Sequence, residues 1–202
     1  MRQFFAGLFI LFISSCNNNG NHNLAEPVVS TQPDSTEKNT TFFPVTSFIK
    51  GQMLQFDSMP VTPLRILTIK EKTDSDWLKR EQLKPLLQAF IEPEIKDTNL
   101  NKFFKETKFN DQTINAITFT YDPITQLPDS IDLRTWNVYI NPQTGNVIKI
   151  YLVKNIKENN QSITQQLTWE TNKSAEITDI LNKPDGSSEI LSQEKFIWNF
   201  SE

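Results

Sequence analysis

The chain has 202 residues, of which 37% are hydrophobic, and a formal net charge of −4. Its charges are mixed and mildly acidic, without the basic stripe that marks a nucleic-acid surface, so we expect no nucleic-acid partner. The single histidine, His22, and the single cysteine, Cys16, both precede residue 42. Residues 42–202 therefore cannot supply a Ser-His-Asp or Cys-His site, or a zinc site built on histidine or cysteine.

Residues 1–15 have the layout of an export signal. Arg2 precedes an apolar run from Phe4 to Ile13, and about ten apolar residues are too few for a spanning helix, which needs roughly 20. The run ends in Ile13, Ser14, Ser15 and Cys16. This segment resembles the lipobox of bacterial lipoproteins, and the resemblance implies cleavage before Cys16 and lipid attachment to its thiol. A lone cysteine also has no partner for an internal disulfide.

Residues 16–41 are expected to form the lipidated start of the mature chain and a disordered tether. Asn, Thr, Ser, Glu and Pro dominate this segment, which is too polar to fold alone. About 25 flexible residues reach roughly 25–30 Å. Asn17 stands where inner-membrane lipoproteins commonly carry aspartate, so the lipoprotein resemblance favours the outer membrane of the cell envelope. Asp34-Ser35-Thr36 resembles an acceptor of periplasmic O-glycosylation, which makes Ser35 a candidate for modification.

Residues 42–202 are expected to form a single α+β domain. An apolar stripe interrupted only by Gln52 predicts a first helix over residues 45–58. Cap-forming residues from Thr73 to Asp76 predict a second helix, with Trp77 on its buried side and a kink at Pro85. A shorter third helix is predicted around Leu100, Phe103 and Phe104.

Alternating apolar and polar residues predict the strands, at 63–70, 113–121, 134–141, 147–153, 163–170, 175–181 and 189–198. Turn residues at 141–145 and 183–186 predict hairpins, with Gly145 free to take a positive φ. We therefore predict an antiparallel meander of about five to seven strands, with two to three mostly N-terminal helices packed on one face. Residues 136–150 resemble the strand–turn–strand of PepSY-type domains, which implies peptidase inhibition as one possible role.

Two tyrosines are the candidate ligand-facing side chains. Trp136 alternates with apolar neighbours and Trp198 does the same, so both are predicted to lie in the core. Tyr139 and Tyr151 fall on the opposite side of their strands, where they could contact a glycan or a protein. Three acid pairs are interpreted as solvated or helix-capping groups: Asp74 and Asp76, Glu92 and Glu94, Asp129 and Asp132.

These patterns favour a non-catalytic lipoprotein, anchored through its N-terminal lipid, that binds an envelope protein, peptide or glycan. No catalytic residue, cofactor or metal ligand is assigned. Two alternatives stay open. A carboxylate-dependent glycan hydrolase would need two acids facing each other across a cleft, and a PepSY-like inhibitor would need a surface complementary to an envelope peptidase.

Overall fold

A computed structural model describes residues 42–56, 58, 60, 62–96 and 100–200, all within one compact unit, Asn39–Glu202. The helices that lie wholly among these residues are α1 (Val45–Gln55), α2 (Arg80–Leu86) and a 3-10 turn (Gln88–Phe90), and Leu100 is also helical. The strands are β1 (Leu64–Ile69), β2 (Lys72–Trp77), β3 (Phe104–Asp111), β4 (Ala116–Pro123), β5 (Leu133–Ile140), β6 (Val147–Glu158), β7 (Gln161–Glu170), β8 (Ser174–Asn182) and β9 (Ser188–Ile197).

All nine strands belong to one antiparallel sheet, in the order β2-β1-β9-β8-β7-β6-β5-β4-β3. From β3 to β9 each strand pairs with the next one in the chain, and the β1–β2 hairpin adds to the free side of β9. The predicted α+β class, with five to seven strands and helices packed on one face, is therefore wrong. The described part of the chain is mostly sheet, and its two α-helices have only 11 and 7 residues.

The two strands that sequence reasoning missed are the edges of the sheet. Residues from Thr73 to Asp76 do not cap a helix but form β2, which is exposed along its whole length. Trp77 is correspondingly 64% exposed and not buried. At the other edge, Phe104 begins β3 and does not lie on a helix. Edge strands carry charged residues that discourage pairing with other chains. In β2 and β3 those residues interrupt the alternation of apolar and polar residues from which a strand is predicted.

The predicted hairpin turns and the seven predicted strands are confirmed. Gly145 has φ +72° between β5 and β6, and Gly186 has φ +86° between β8 and β9. Both values lie in the left-handed region, which a residue without Cβ occupies at no steric cost. The first helix is also confirmed, although it ends at Gln55.

The core lies between one face of the sheet and the helix-bearing segments. Trp136, Trp169 and Trp198 are at most 2% exposed, so the predicted burial of Trp136 and Trp198 is confirmed. The Phe56 ring at the end of α1 lies 4.7 Å from that of Trp198. Large aromatic rings bury the most apolar surface per residue, and they dominate this core.

Gln52, the one polar residue in the stripe of α1, has a specific partner. Its Oε1 accepts a hydrogen bond of 3.0 Å from the backbone N–H of Asn172. Asn172 has φ +59° in the β7–β8 turn. Gln52 therefore links α1 to the β7–β8 turn and gives a backbone N–H of that turn its hydrogen-bond acceptor.

Two tryptophan substitutions should distinguish a residue in the core from one at the exposed edge of the sheet. We expect Trp169→Ala to lower the free energy of unfolding by about 3–5 kcal/mol, because it leaves a cavity among buried rings. Trp77→Ala should change it by about 0.5 kcal/mol or less, because the side chain is mostly exposed. Urea denaturation followed by circular dichroism measures both, and equal losses in the two variants would contradict this placement of the core.

Candidate binding site on the tyrosine face

The register of the strands sorts side chains onto two faces of the sheet. The core face carries cross-strand neighbours such as Trp136, Leu152 and Leu167. The opposite face carries Tyr139 and Tyr151, and we call it the tyrosine face. One line of cross-strand neighbours, the outer row, crosses this face from edge to edge: Trp77, Leu64, Ile197, Ser174, Glu170, Lys149, Tyr139, Thr118 and Phe109.

The structure brings Tyr139 and Tyr151 together. Asn137 is the cross-strand neighbour of Tyr151, and its Nδ2 donates a hydrogen bond of 3.3 Å to the Tyr139 hydroxyl. The Lys149 ammonium lies 4.3 Å from the centre of the Tyr139 ring, which is a cation–π contact. Burial, and then the nearby Tyr139, raise the pKa of the Tyr151 phenol. The Tyr151 phenol therefore stays neutral at neutral pH.

A groove of about 470 Å³ opens beside Tyr139, where three turns of the sheet meet. The β3–β4 turn contributes Ile114, the β5–β6 turn contributes Asn146, and the β7–β8 turn contributes Thr171 and Lys173. The lining is completed by Val147, Ile148, Lys149, Glu170 and Asn172. It therefore combines hydroxyl, amide, charged and apolar groups around one aromatic ring, at a volume typical of small-ligand sites.

None of the predicted acid pairs lines this groove. Asp74 and Asp76 lie on the exposed edge strand β2. Glu92 and Glu94 are exposed and held by neighbours, because Glu92 accepts from the Gln88 amide at 2.5 Å and Glu94 pairs with Lys96 at 2.8 Å. In both cases we see solvated carboxylates without a cleft between them.

The third pair, Asp129 and Asp132, lies in the exposed loop between β4 and β5. Asp129 pairs loosely with Lys157, whose ammonium is 3.4 Å away. A wider hollow of about 1250 Å³ lies at the β1–β2 hairpin, lined by residues such as Leu67, Ile69 and Asp74. Its lining in the described chain has no aromatic side chain, so the groove at Tyr139 is the better candidate for recognition.

Sequence reasoning missed a line of polar groups that crosses the core face. Lys154, Gln165, Asp179 and Ser192 are cross-strand neighbours on β6, β7, β8 and β9, and we call them the polar row. Asp179 accepts hydrogen bonds from Gln165 at 3.0 Å and from Ser192 at 3.2 Å. Lys154, Gln165 and Asp179 each stand where the alternation of their strand predicts an apolar residue. Only the register of the sheet shows that these polar residues are neighbours.

Lys154 is the buried cation of the polar row, with 5% of its surface exposed. Its Nζ donates hydrogen bonds to the backbone carbonyls of Ala89 and Glu92. Burial lowers the pKa of the ammonium to about 8, although the carboxylates of Asp132 and Glu92 partly oppose this shift. The lysine thus fastens the chain after α2 to the centre of the sheet.

Glu194 on β9 lies beside Asp179 of the polar row, because their strands β8 and β9 are paired. Glu194 accepts a hydrogen bond from Arg65 Nε, so each carboxylate has its own donors. No group of three or more His, Cys, Asp or Glu in the described ranges is arranged to hold a metal ion. No helix among those ranges is long and apolar enough to span a membrane. Cys16 and Ser35 lie outside the described residues.

The chain matches no protein-family model, no curated protein and no solved structure.

Lys154 should make stability depend on pH above neutrality. Its pKa is about 8 in the folded chain against 10.5 for the free side chain, so the unfolded chain keeps this proton to higher pH. Stability should therefore rise between pH 8 and 10.5, by at most about 3 kcal/mol. The difference in unfolding free energy between wild type and Lys154→Met should show this rise.

Lys157→Met is the matched control, because Lys157 lies on the same strand with 74% of its side chain exposed. Its difference from wild type should stay flat over the same pH range. Identical curves for the two variants, measured by urea denaturation at each pH, would show that Lys154 is not a buried cation.

Proposed function

We propose that this chain is a lipid-anchored protein of the bacterial envelope whose sheet domain binds a glycan, without catalysis, in the groove beside Tyr139. The observation that carries the proposal is the convergence of Tyr139, Lys149 and the amide-rich turns on one concave surface. The Cys16 lipobox and the polar segment after it support the anchor, and Asn17 favours the outer membrane.

The composition of the groove favours an uncharged, hydroxyl-rich ligand. Two lysines, Lys149 and Lys173, face one glutamate, Glu170, whose Oε2 already accepts a hydrogen bond from Ser174 at 2.9 Å. The groove therefore has neither a strongly positive nor a strongly negative electrostatic potential. Its amide side chains, Asn146 and Asn172, supply both hydrogen-bond donors and acceptors. The ring of Tyr139 and the side chain of Ile114 add apolar surface for the carbon-bound faces of a sugar.

The edges of the sheet argue against an extended peptide as the ligand. A peptide that adds a strand needs a free edge, and here the edge strands β2 and β3 are rich in charged residues. The groove lies instead among strands β5 to β8, whose backbones are paired on both sides. Recognition there has to use side chains and turn groups, as in a glycan site.

Tyr139→Ala should weaken glycan binding by about tenfold or more, because it removes the central aromatic contact. The probe is an array of neutral hexose and N-acetylhexosamine oligosaccharides, with titration calorimetry for those that bind. Asn146→Ala, which removes one amide of the turn, provides a second variant if Tyr139→Ala fails to fold. Trp77→Ala, six strands away in the outer row, should bind like wild type.

Several outcomes would redirect the proposal. Shortened oligosaccharides after incubation would show a hydrolase in place of a binding protein. Slowing of a co-resident envelope peptidase, with a blank array, would favour the PepSY-like alternative. A blank array together with no partner captured from solubilised envelopes would contradict binding at this groove altogether.

Cys16→Ser tests the anchor separately. We expect the variant to lose incorporation of labelled fatty acid and to leave the membrane fraction, because its serine cannot form the thioether and the acyl chains hold the domain at the bilayer. Unchanged labelling and fractionation would contradict the lipoprotein assignment and leave the groove experiment unaffected.

A further inference from the structure

One corner of the tyrosine face is apolar, in contrast to the polar rest of that face. Trp77 is 64% exposed and Phe200 is 57% exposed, and their rings lie 5.9 Å apart. The side chains of this apolar corner come from β1, β2, β9 and the residues after β9: Leu64, Ile66, Trp77, Ile197 and Phe200. Three of the four tryptophans in the chain are at most 2% exposed, so the exposure of Trp77 needs an explanation.

From this corner we infer that the domain docks on the membrane surface, with Trp77 and Phe200 inserted into the lipid headgroup region. Tryptophan is favoured at that boundary because its indole is apolar with one polar N–H. Lys79, two residues after Trp77, is exposed at the N-terminal end of α2, where its ammonium can approach lipid phosphates. The inference rests on the proposed lipid anchor, which keeps a bilayer within reach of the tether.

The size of the corner argues against a stable protein partner. Two partly exposed rings present roughly 200–300 Å², whereas a stable complex buries about 800 Å² on each partner. The neighbouring edge strand β2 carries Lys72, Asp74 and Asp76, all exposed, which disfavours strand pairing with a second copy. Because the proposed lipid anchor already holds the protein at the bilayer, a small apolar patch needs only to orient the domain.

Docking at this corner would set the direction in which the glycan groove points. Trp77 and Tyr139 belong to the same outer row, on β2 and β5. Six strand spacings of about 4.8 Å separate them, which is roughly 29 Å along the sheet. With Trp77 at the bilayer, the groove would stand away from the lipid and open toward the aqueous compartment.

The first arm of the test uses the lipidated chain, reconstituted in vesicles of phosphatidylethanolamine, phosphatidylglycerol and brominated phosphatidylcholine. Bromine quenches indole fluorescence only at short range, and the three buried tryptophans give a constant background. We expect quenching in wild type that disappears in Trp77→Phe. Phe109→Ala, at the opposite end of the outer row and 46% exposed, should be quenched like wild type.

The second arm adds unlipidated Cys16→Ser chain to the same vesicles. Partitioning, measured by the fraction of chain that co-sediments with the vesicles, should weaken about tenfold when either Trp77→Ala or Phe200→Ala is added, because a buried aromatic contact is worth at least that factor. Phe109→Ala should leave it unchanged. The urea denaturation described above shows whether Trp77→Ala is folded.

Three results would overturn the inference. The first is equal quenching of wild type and Trp77→Phe. The second is concentration-dependent self-association that Trp77→Ala abolishes, which would assign the corner to a second copy of the chain. The third is an unquenched Trp77 in a chain that carries labelled fatty acid. That last result would contradict docking but would still support the lipid anchor. Vesicle binding without fatty-acid labelling would do the reverse, supporting docking and contradicting the anchor.

Discussion

The register of nine antiparallel strands, shifted locally only at Leu133/Thr135, Tyr139/Ile140 and Asp179/Ile180 among the described residues, is the constraint on which the rest of the structure depends. Because side chains alternate along each strand, the register places every residue on one face or the other. Trp136 and Trp169 fall on the core face and Tyr139 falls on the opposite one. A shift of one residue would exchange the two faces, so the core and the candidate binding surface are specified together.

Three features of the tyrosine face follow from this register. The centre of the face is polar and carries the tyrosine pair, one end opens into the groove at the turns, and one corner is apolar. The tyrosine pair lies on strands that are consecutive in the chain, whereas the apolar corner joins β1 and β2 to β9, which are far apart in the chain. The proposed lipid anchor, orienting corner and recognition groove would together hold the protein close to a bilayer with its ligand site exposed.

The sequence alone predicted the inner strands, α1 and the hairpin turns, because periodicity and turn residues report directly on buried strands and on positive φ. It failed at β2 and β3, where charges that protect the edge replace the alternation. The two tyrosines that it selected as ligand-facing candidates, Tyr139 and Tyr151, are half-buried on the face opposite the core, and their role in binding stays a prediction. It could not assemble the groove or the polar row, since Lys154 and Asp179 meet only through the pairing of β6, β7 and β8.

Hydroxyl-radical footprinting of the native chain, read residue by residue by mass spectrometry, tests the two-faced sheet most directly. The account predicts fast oxidation of the exposed Trp77, intermediate oxidation of the half-buried Tyr139 and Tyr151, and slow oxidation of the fully buried Trp136, Trp169 and Tyr121. Oxidation of Trp169 as fast as that of Trp77, or protection of Tyr139 equal to that of Tyr121 in the absence of ligand, would contradict it.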